Sequence, residues 1–77
     1  LDRHKVAALV QRVLDHLPIH YANALEWKYM DELPVQEIGG RLGISVKAAE
    51  SLLTRARLAF REAFQTMSPL RADGTGS

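Results

Sequence analysis

The stretch of residues 42–61 constrains the fold of this chain most, because it joins a helix end, a tight turn and a new helix start. Gly43 can take the positive φ that ends a helix, Ile44 supplies an apolar plug, and Ser45 can cap the next helix. Apolar residues then recur at alternating spacings of four and three, as on one helix face: Ala49, Leu53, Ala56, Phe60 and Ala63. A short helix, a glycine turn and a second helix with a polar, partly basic outer face predict a helix-turn-helix.

Helical periodicity predicts three further helices ahead of this one. The four predicted helices span residues 2–16, 18–30, 35–42 and 46–67. No stretch alternates as a strand would. The sequence therefore predicts an all-α fold, a small four-helix bundle that ends in a helix-turn-helix with a long recognition helix.

The buried faces of the predicted helices follow from the same spacing. In the second helix we expect Ala22, Leu25 and Tyr29 to face the core, with Trp27 off that stripe. In the third helix, a glycine costs about 1 kcal/mol relative to alanine. Close approach of the recognition helix across Gly39 would explain that cost.

The chain of 77 residues is long enough for one small domain. We predict a folded domain over residues 1–67 and a flexible Gly/Ser/Thr-rich tail over residues 68–77. Because the chain starts at Leu1 rather than at a methionine, we expect it to be a piece of a longer protein.

The residue types exclude several classes of protein. The absence of cysteine excludes disulfides, thiolate metal sites and cysteine nucleophiles, and it fits the reducing cytoplasm. No apolar run approaches about 18 residues, so no membrane partner is expected. The three histidines have no metal-ligand spacing, and neither a phosphate-binding glycine loop nor a Ser-His-Asp arrangement stands out. We therefore expect no enzyme, cofactor, metal or small-molecule substrate.

The charge distribution is uneven although the net charge is only +1. Residues 1–40 carry four basic and six acidic side chains, whereas residues 41–77 carry six basic and three acidic ones. The positive half contains the predicted recognition helix, which favours a nucleic-acid partner. The alternative is that arginines simply suit the C-terminal end of a helix dipole.

Five motifs at fixed offsets resemble one known family. They are Leu-Pro at 17–18, Leu-Glu-x-Lys-Tyr at 25–29, Glu-Ile at 37–38, Leu-Gly-Ile-Ser at 42–45 and Arg-Ala-Arg at 55–57. Together they resemble the C-terminal domain, region 4, of extracytoplasmic-function sigma factors of the sigma-70 family. The resemblance covers about residues 8–64.

The resemblance implies a sequence-specific DNA-binding module that reads the −35 promoter element and directs RNA polymerase to initiate transcription. It implies three partners: promoter DNA, the flap region of the polymerase core, and an anti-sigma protein. The sequence departs from the family where Glu50 replaces a basic residue and Leu52 replaces a frequent arginine. The upstream domain that reads the −10 element is absent from this sequence, which again suggests a fragment.

Side chains near the start of a recognition helix reach base edges in the major groove. The residues that spacing places on the outward side are Lys47, Glu50, Ser51, Thr54 and Arg55. Lys47 or Arg55 could donate to guanine O6 and N7, and Glu50 could accept from cytosine N4 or instead pair with Lys47. Ser51 and Thr54 can bind bases or phosphates.

Two further basic residues are candidates for contacts with DNA phosphates. Arg57 is one; the alternatives are that it pairs with Glu62 or lies free in solvent. Lys28 is implied by the resemblance alone.

Two leucines lie off the predicted core stripe. Leu52 and Leu58 could pack against the second helix, be isolated surface leucines without a role, or form a partner-binding surface.

Two other functions stay open at this point. One is the output domain of a response-regulator-type transcription factor, which would use the same groove chemistry. The other is a protein-interaction bundle without DNA binding, which the presence of Glu50 and Leu52 favours.

Overall fold

The computed structural model describes residues 3–68, and the regular secondary structure in that range is entirely α-helical. The helices are α1 (Arg3–Asp15), α2 (Ile19–Tyr29), α3 (Val35–Leu42) and α4 (Val46–Met67). The predicted all-α fold of four helices is therefore confirmed, with α1 and α2 slightly shorter than expected. Residues 69–77, which contain almost all of the predicted tail, lie outside the described range, so the division into domain and tail stays a prediction.

Helix α4 is the element on which the bundle is assembled, since α1, α2 and α3 all pack against it. Its side chains enter two core clusters. One joins α1, α2 and α4 and consists of Leu14, Ala22, Leu25 and Ala56. The other joins α2, α3 and α4 and consists of Ala24, Ile38, Leu52 and Leu53. Packing on both sides therefore fixes how α4 is oriented and which face it presents to solvent.

The turn between α3 and α4 has the geometry that its residues predict. Gly43 adopts φ 69°, in the left-handed region. Its N–H donates to the carbonyl of Gly40 at 3.3 Å, and the N–H of Ile44 donates to the carbonyl of Gly39 at 2.9 Å. The hydroxyl of Ser45 accepts a hydrogen bond from the N–H of Ala48 at 3.0 Å. These bonds satisfy helix-end groups that would otherwise need water.

The expected close approach at Gly39 is confirmed, but the neighbour is the turn rather than the body of α4. A Cβ on Gly39 would lie 2.9 Å from the carbonyl oxygen of Ile44 and 3.4 Å from that of Ser45. The missing side chain therefore lets the turn fold back onto α3.

The structure decides the open alternative at Leu52 in favour of packing, and it contradicts the expected burial of Tyr29. Leu52 is only 7% exposed and belongs to the second core cluster. The single apolar stripe predicted from spacing underestimates how much of the surface of α4 is buried, because α4 packs against helices on two sides. Tyr29 was expected in the core but is 54% exposed, since it is the last residue of α2 and its ring lies at the domain surface.

Trp27 is half-buried beside the second core cluster. The guanidinium of Arg41 lies 5.3 Å from the centre of its ring, within the range of a cation–π contact. Arg41 also pairs with Glu37 at 3.7 Å. The cation–π contact therefore joins α3 to α2, whereas the ion pair lies within α3.

Candidate nucleic-acid interface

The outward surface of α4 carries the predicted DNA-reading residues. The five side chains predicted to face outward are all exposed: Lys47, Glu50, Ser51, Thr54 and Arg55. At about 100° per residue, Lys47, Ser51 and Thr54 share the middle of this surface, while Glu50 and Arg55 lie on opposite flanks. The cap at Ser45 fixes the residue at which α4 begins, and so sets the position of each side chain along the helix axis.

A polar cleft lies on one flank of this surface, between α2, α3 and α4. Its volume is about 350 Å³, and its lining consists of Lys28, Val35, Glu50, Leu53, Thr54 and Arg57. The fold thus brings together four of the predicted DNA-binding residues from two different helices. The other three, Lys47, Ser51 and Arg55, do not line the cleft.

Arg57 is held in place by two hydroxyl groups. Its Nη1 donates to the hydroxyl of Tyr29 at 3.0 Å. Its Nη2 donates to Oγ1 of Thr54 at 3.3 Å. Oγ1 of Thr54 donates in turn to the backbone carbonyl of Glu50 at 3.0 Å. The pairing of Arg57 with Glu62 considered above does not form.

The positive charges of this surface are not neutralised by carboxylates. Arg41 pairs with Glu37 on α3, whereas no lysine or arginine of α4 lies within salt-bridge distance of a carboxylate in residues 3–68. The alternative pairing of Glu50 with Lys47 is therefore wrong as well. Lys47, Arg55 and Arg57 keep their charge available for an anionic partner, while Glu50 places a negative charge in the cleft.

An apolar groove lies on another side of the domain, between α1, α2 and the second half of α4. Its volume is about 480 Å³, and the residues that line it are Val10, Leu14, Leu25, Tyr29, Met30, Arg57, Phe60 and Arg61. Apolar side chains form its floor, and Arg57 and Arg61 supply its basic groups. A groove of this character suits an apolar segment of another protein better than a nucleic acid.

The sequence offered Leu52 and Leu58 as one alternative for a partner-binding surface, at a different place from this groove. Leu52 is part of the core and cannot present a binding surface. Leu58 is 51% exposed but does not line the groove, since it lies on the outward face of α4. The groove itself was missed because Val10 and Phe60 have the spacing of core residues, and spacing cannot show that the packing above them is incomplete.

Residues 3–68 form neither a candidate metal site nor a candidate membrane-spanning helix. No group of three or more His, Cys, Asp or Glu side chains there could hold a metal ion. None of its helices is long and apolar enough to cross a membrane.

Comparison with known proteins identifies one family. The family model of sigma-70, region 4, matches residues 7–60, which is more than half of the chain. Comparisons with curated proteins and with solved structures gave no match.

Proposed function

Because the chain belongs to the sigma-70 region 4 family, we propose that it recognises the −35 promoter element and directs RNA polymerase to initiate transcription there. Region 4 is a DNA-binding module of sigma factors and not an enzyme family. The observation that carries the proposal is the capped recognition helix with five exposed polar residues and the adjoining polar cleft. The extracytoplasmic-function subclass is part of the proposal.

The proposed readout divides the surface into specifying and positioning contacts. Lys47 and Arg55 donate to guanine, and Glu50 accepts from cytosine N4. Arg57 and Lys28, at the cleft, bind phosphates of the backbone, which orient the helix without selecting a sequence. Ser51 and Thr54 support either kind of contact.

The polymerase is the second partner in the proposal, and its flap region would occupy the apolar groove. Support comes from the lining, which exposes Met30 and Tyr29, includes the partly buried Phe60, and places Arg57 and Arg61 beside them. That combination suits an apolar segment with acidic flanks. An anti-sigma protein would compete for the same groove.

The test is a selection of bound sequences from a random duplex pool, with the chain tethered to RNA polymerase. The selected duplex and a scrambled duplex of equal length are then titrated with the isolated chain at several salt concentrations. With roughly three to five phosphate contacts, the slope of log affinity against log salt should be about −3 to −5.

Two outcomes would contradict the proposal. Measurable binding with no salt dependence would exclude the phosphate contacts. No binding even at low salt would favour an interaction bundle that does not bind DNA. The family match favours a sigma factor over the response-regulator alternative.

A further inference from the structure

Arg57 stands at the border between the polar cleft and the apolar groove, since its side chain lines both. An unrestrained arginine in this position could lie over the groove, away from the recognition surface. Arginine has many rotamers. Holding its side chain in one conformation before DNA binds lowers the conformational entropy that is lost on binding.

The hydroxyl of Tyr29 supplies that restraint from a different helix. It accepts the hydrogen bond from Nη1 of Arg57 at 3.0 Å, across 28 residues of sequence. The second bond, to Thr54, comes from α4 itself and is longer. Tyr29 therefore fixes the guanidinium relative to α2, and so relative to Lys28 on the same helix.

The restraint leaves Arg57 able to bind an anion. A guanidinium has five N–H donors, and the two hydroxyl groups use two of them. Both partners are neutral, so the positive charge is not cancelled as a carboxylate would cancel it.

We propose that Tyr29 is a positioning residue for DNA binding: its hydroxyl holds Arg57 at the cleft so that the guanidinium meets a backbone phosphate. This inference rests on the proposed function of the recognition helix. It assigns a role in DNA binding to a side chain that lines the groove on the other side of Arg57.

The test compares Tyr29→Phe with the unchanged chain on the selected duplex. The affinity should fall about two- to tenfold, the range that loss of one side-chain restraint gives. The loss should be equal on single-base variants of the site, and the salt slope should become shallower by up to about 1. A purely structural role would not change the salt slope.

Tyr21→Phe is the matched control. Tyr21 lies on the same helix, and its hydroxyl makes no hydrogen bond within residues 3–68, so its removal should leave affinity and salt slope unchanged. Tyr29 is more than half exposed, and thermal melts of both variants should match the parent.

A double-mutant cycle decides whether Tyr29 acts through Arg57. In an Arg57→Gln background, Tyr29→Phe should cause no further loss of affinity. An equal loss in both backgrounds would overturn the proposal, as would parental affinity and salt slope for Tyr29→Phe alone. Failure of the unchanged chain to bind any duplex would instead overturn the proposed function, and this inference with it.

Discussion

At the scale of single residues, Leu53 tests the packing of α4. It is 3% exposed and lies in the cluster that joins α2, α3 and α4. Leu53→Ala should lower the free energy of unfolding by about 2–5 kcal/mol, because it removes buried methyl groups and leaves a cavity. So large a loss would unfold much of a domain of this size.

Leu58→Ala is the control for Leu53→Ala, because it makes the same chemical change on the same helix at a side chain that is 51% exposed. It should change the unfolding free energy by no more than about 0.5 kcal/mol. Thermal or urea melts of the two variants measure the difference. Equal losses would mean that Leu53 is not a core residue.

Glu50 tests base readout at the residue scale. An acid in the cleft repels phosphates, so its presence needs a compensating contact. If it accepts from cytosine N4, Glu50→Lys should change the preferred base at one position of the site by about 1–3 kcal/mol of discrimination. Titration against a panel of single-base variants measures this preference.

Glu62→Lys, an exposed acid further along α4, makes the same charge change as a control. It should leave the base ranking unchanged. Glu50→Lys could instead tighten binding to all sequences alike and steepen the salt slope by about 1. That result would mean that Glu50 does not contact a base.

Periodicity predicts the exposure of residues that face solvent on one helix, as it does for Lys47 and Ser51. It cannot predict the partner of Arg57. That partner is Tyr29, whose hydroxyl reaches Arg57 only because α2 packs against α4 at a particular angle. Local spacing instead suggested Glu62, five residues further along the same helix.

At the scale of secondary-structure elements, the contact between α3 and the turn is set by Gly39. Because alanine has the higher helix propensity, replacing Gly39 by alanine would by itself stabilise α3 by about 1 kcal/mol. Its Cβ, however, would meet a backbone carbonyl at 2.9 Å, and backbone cannot easily give way. Gly39→Ala should therefore destabilise the domain by about 1–3 kcal/mol, as overpacking does, when measured by thermal melts.

Gly40 is the matched control, since it is the next residue of α3 and a Cβ there would meet nothing within 4 Å. Gly40→Ala should stabilise the domain by up to about 1 kcal/mol. If both changes had the same sign, the close approach at Gly39 would not be what limits that position.

The helices themselves could be predicted because their signals are local. Gly43 and Ser45 mark the end of α3 and the start of α4, and both behave as the sequence indicates. The buried sector of α4 could not be predicted as well, because it depends on how many helices surround α4. Leu52 is buried by α2 and α3, and a single stripe on α4 contains no information about either.

At the scale of the whole molecule, α4 serves two surfaces that lie on different sides of the domain. Its first half carries the exposed side chains that we propose to read DNA, and its second half forms one wall of the apolar groove. A helix of 22 residues is about 33 Å long, which gives room for both. The sequence could predict the first surface from charge and spacing. The groove depends on incomplete packing between three helices, which no single segment encodes.

A substitution on one surface should impair one activity and leave the other intact. Two single variants, Met30→Glu and Lys47→Ala, test this. Met30 lines the groove and is 54% exposed, so a carboxylate there should leave the fold intact but stay poorly solvated beneath an apolar partner. We expect Met30→Glu to weaken capture of bacterial RNA polymerase core at least about tenfold, while duplex binding by the isolated chain stays unchanged. Lys47→Ala should do the reverse, reducing duplex affinity and leaving polymerase capture as it was. Loss of both activities in either variant, with unchanged melting, would mean that the two partners share one surface.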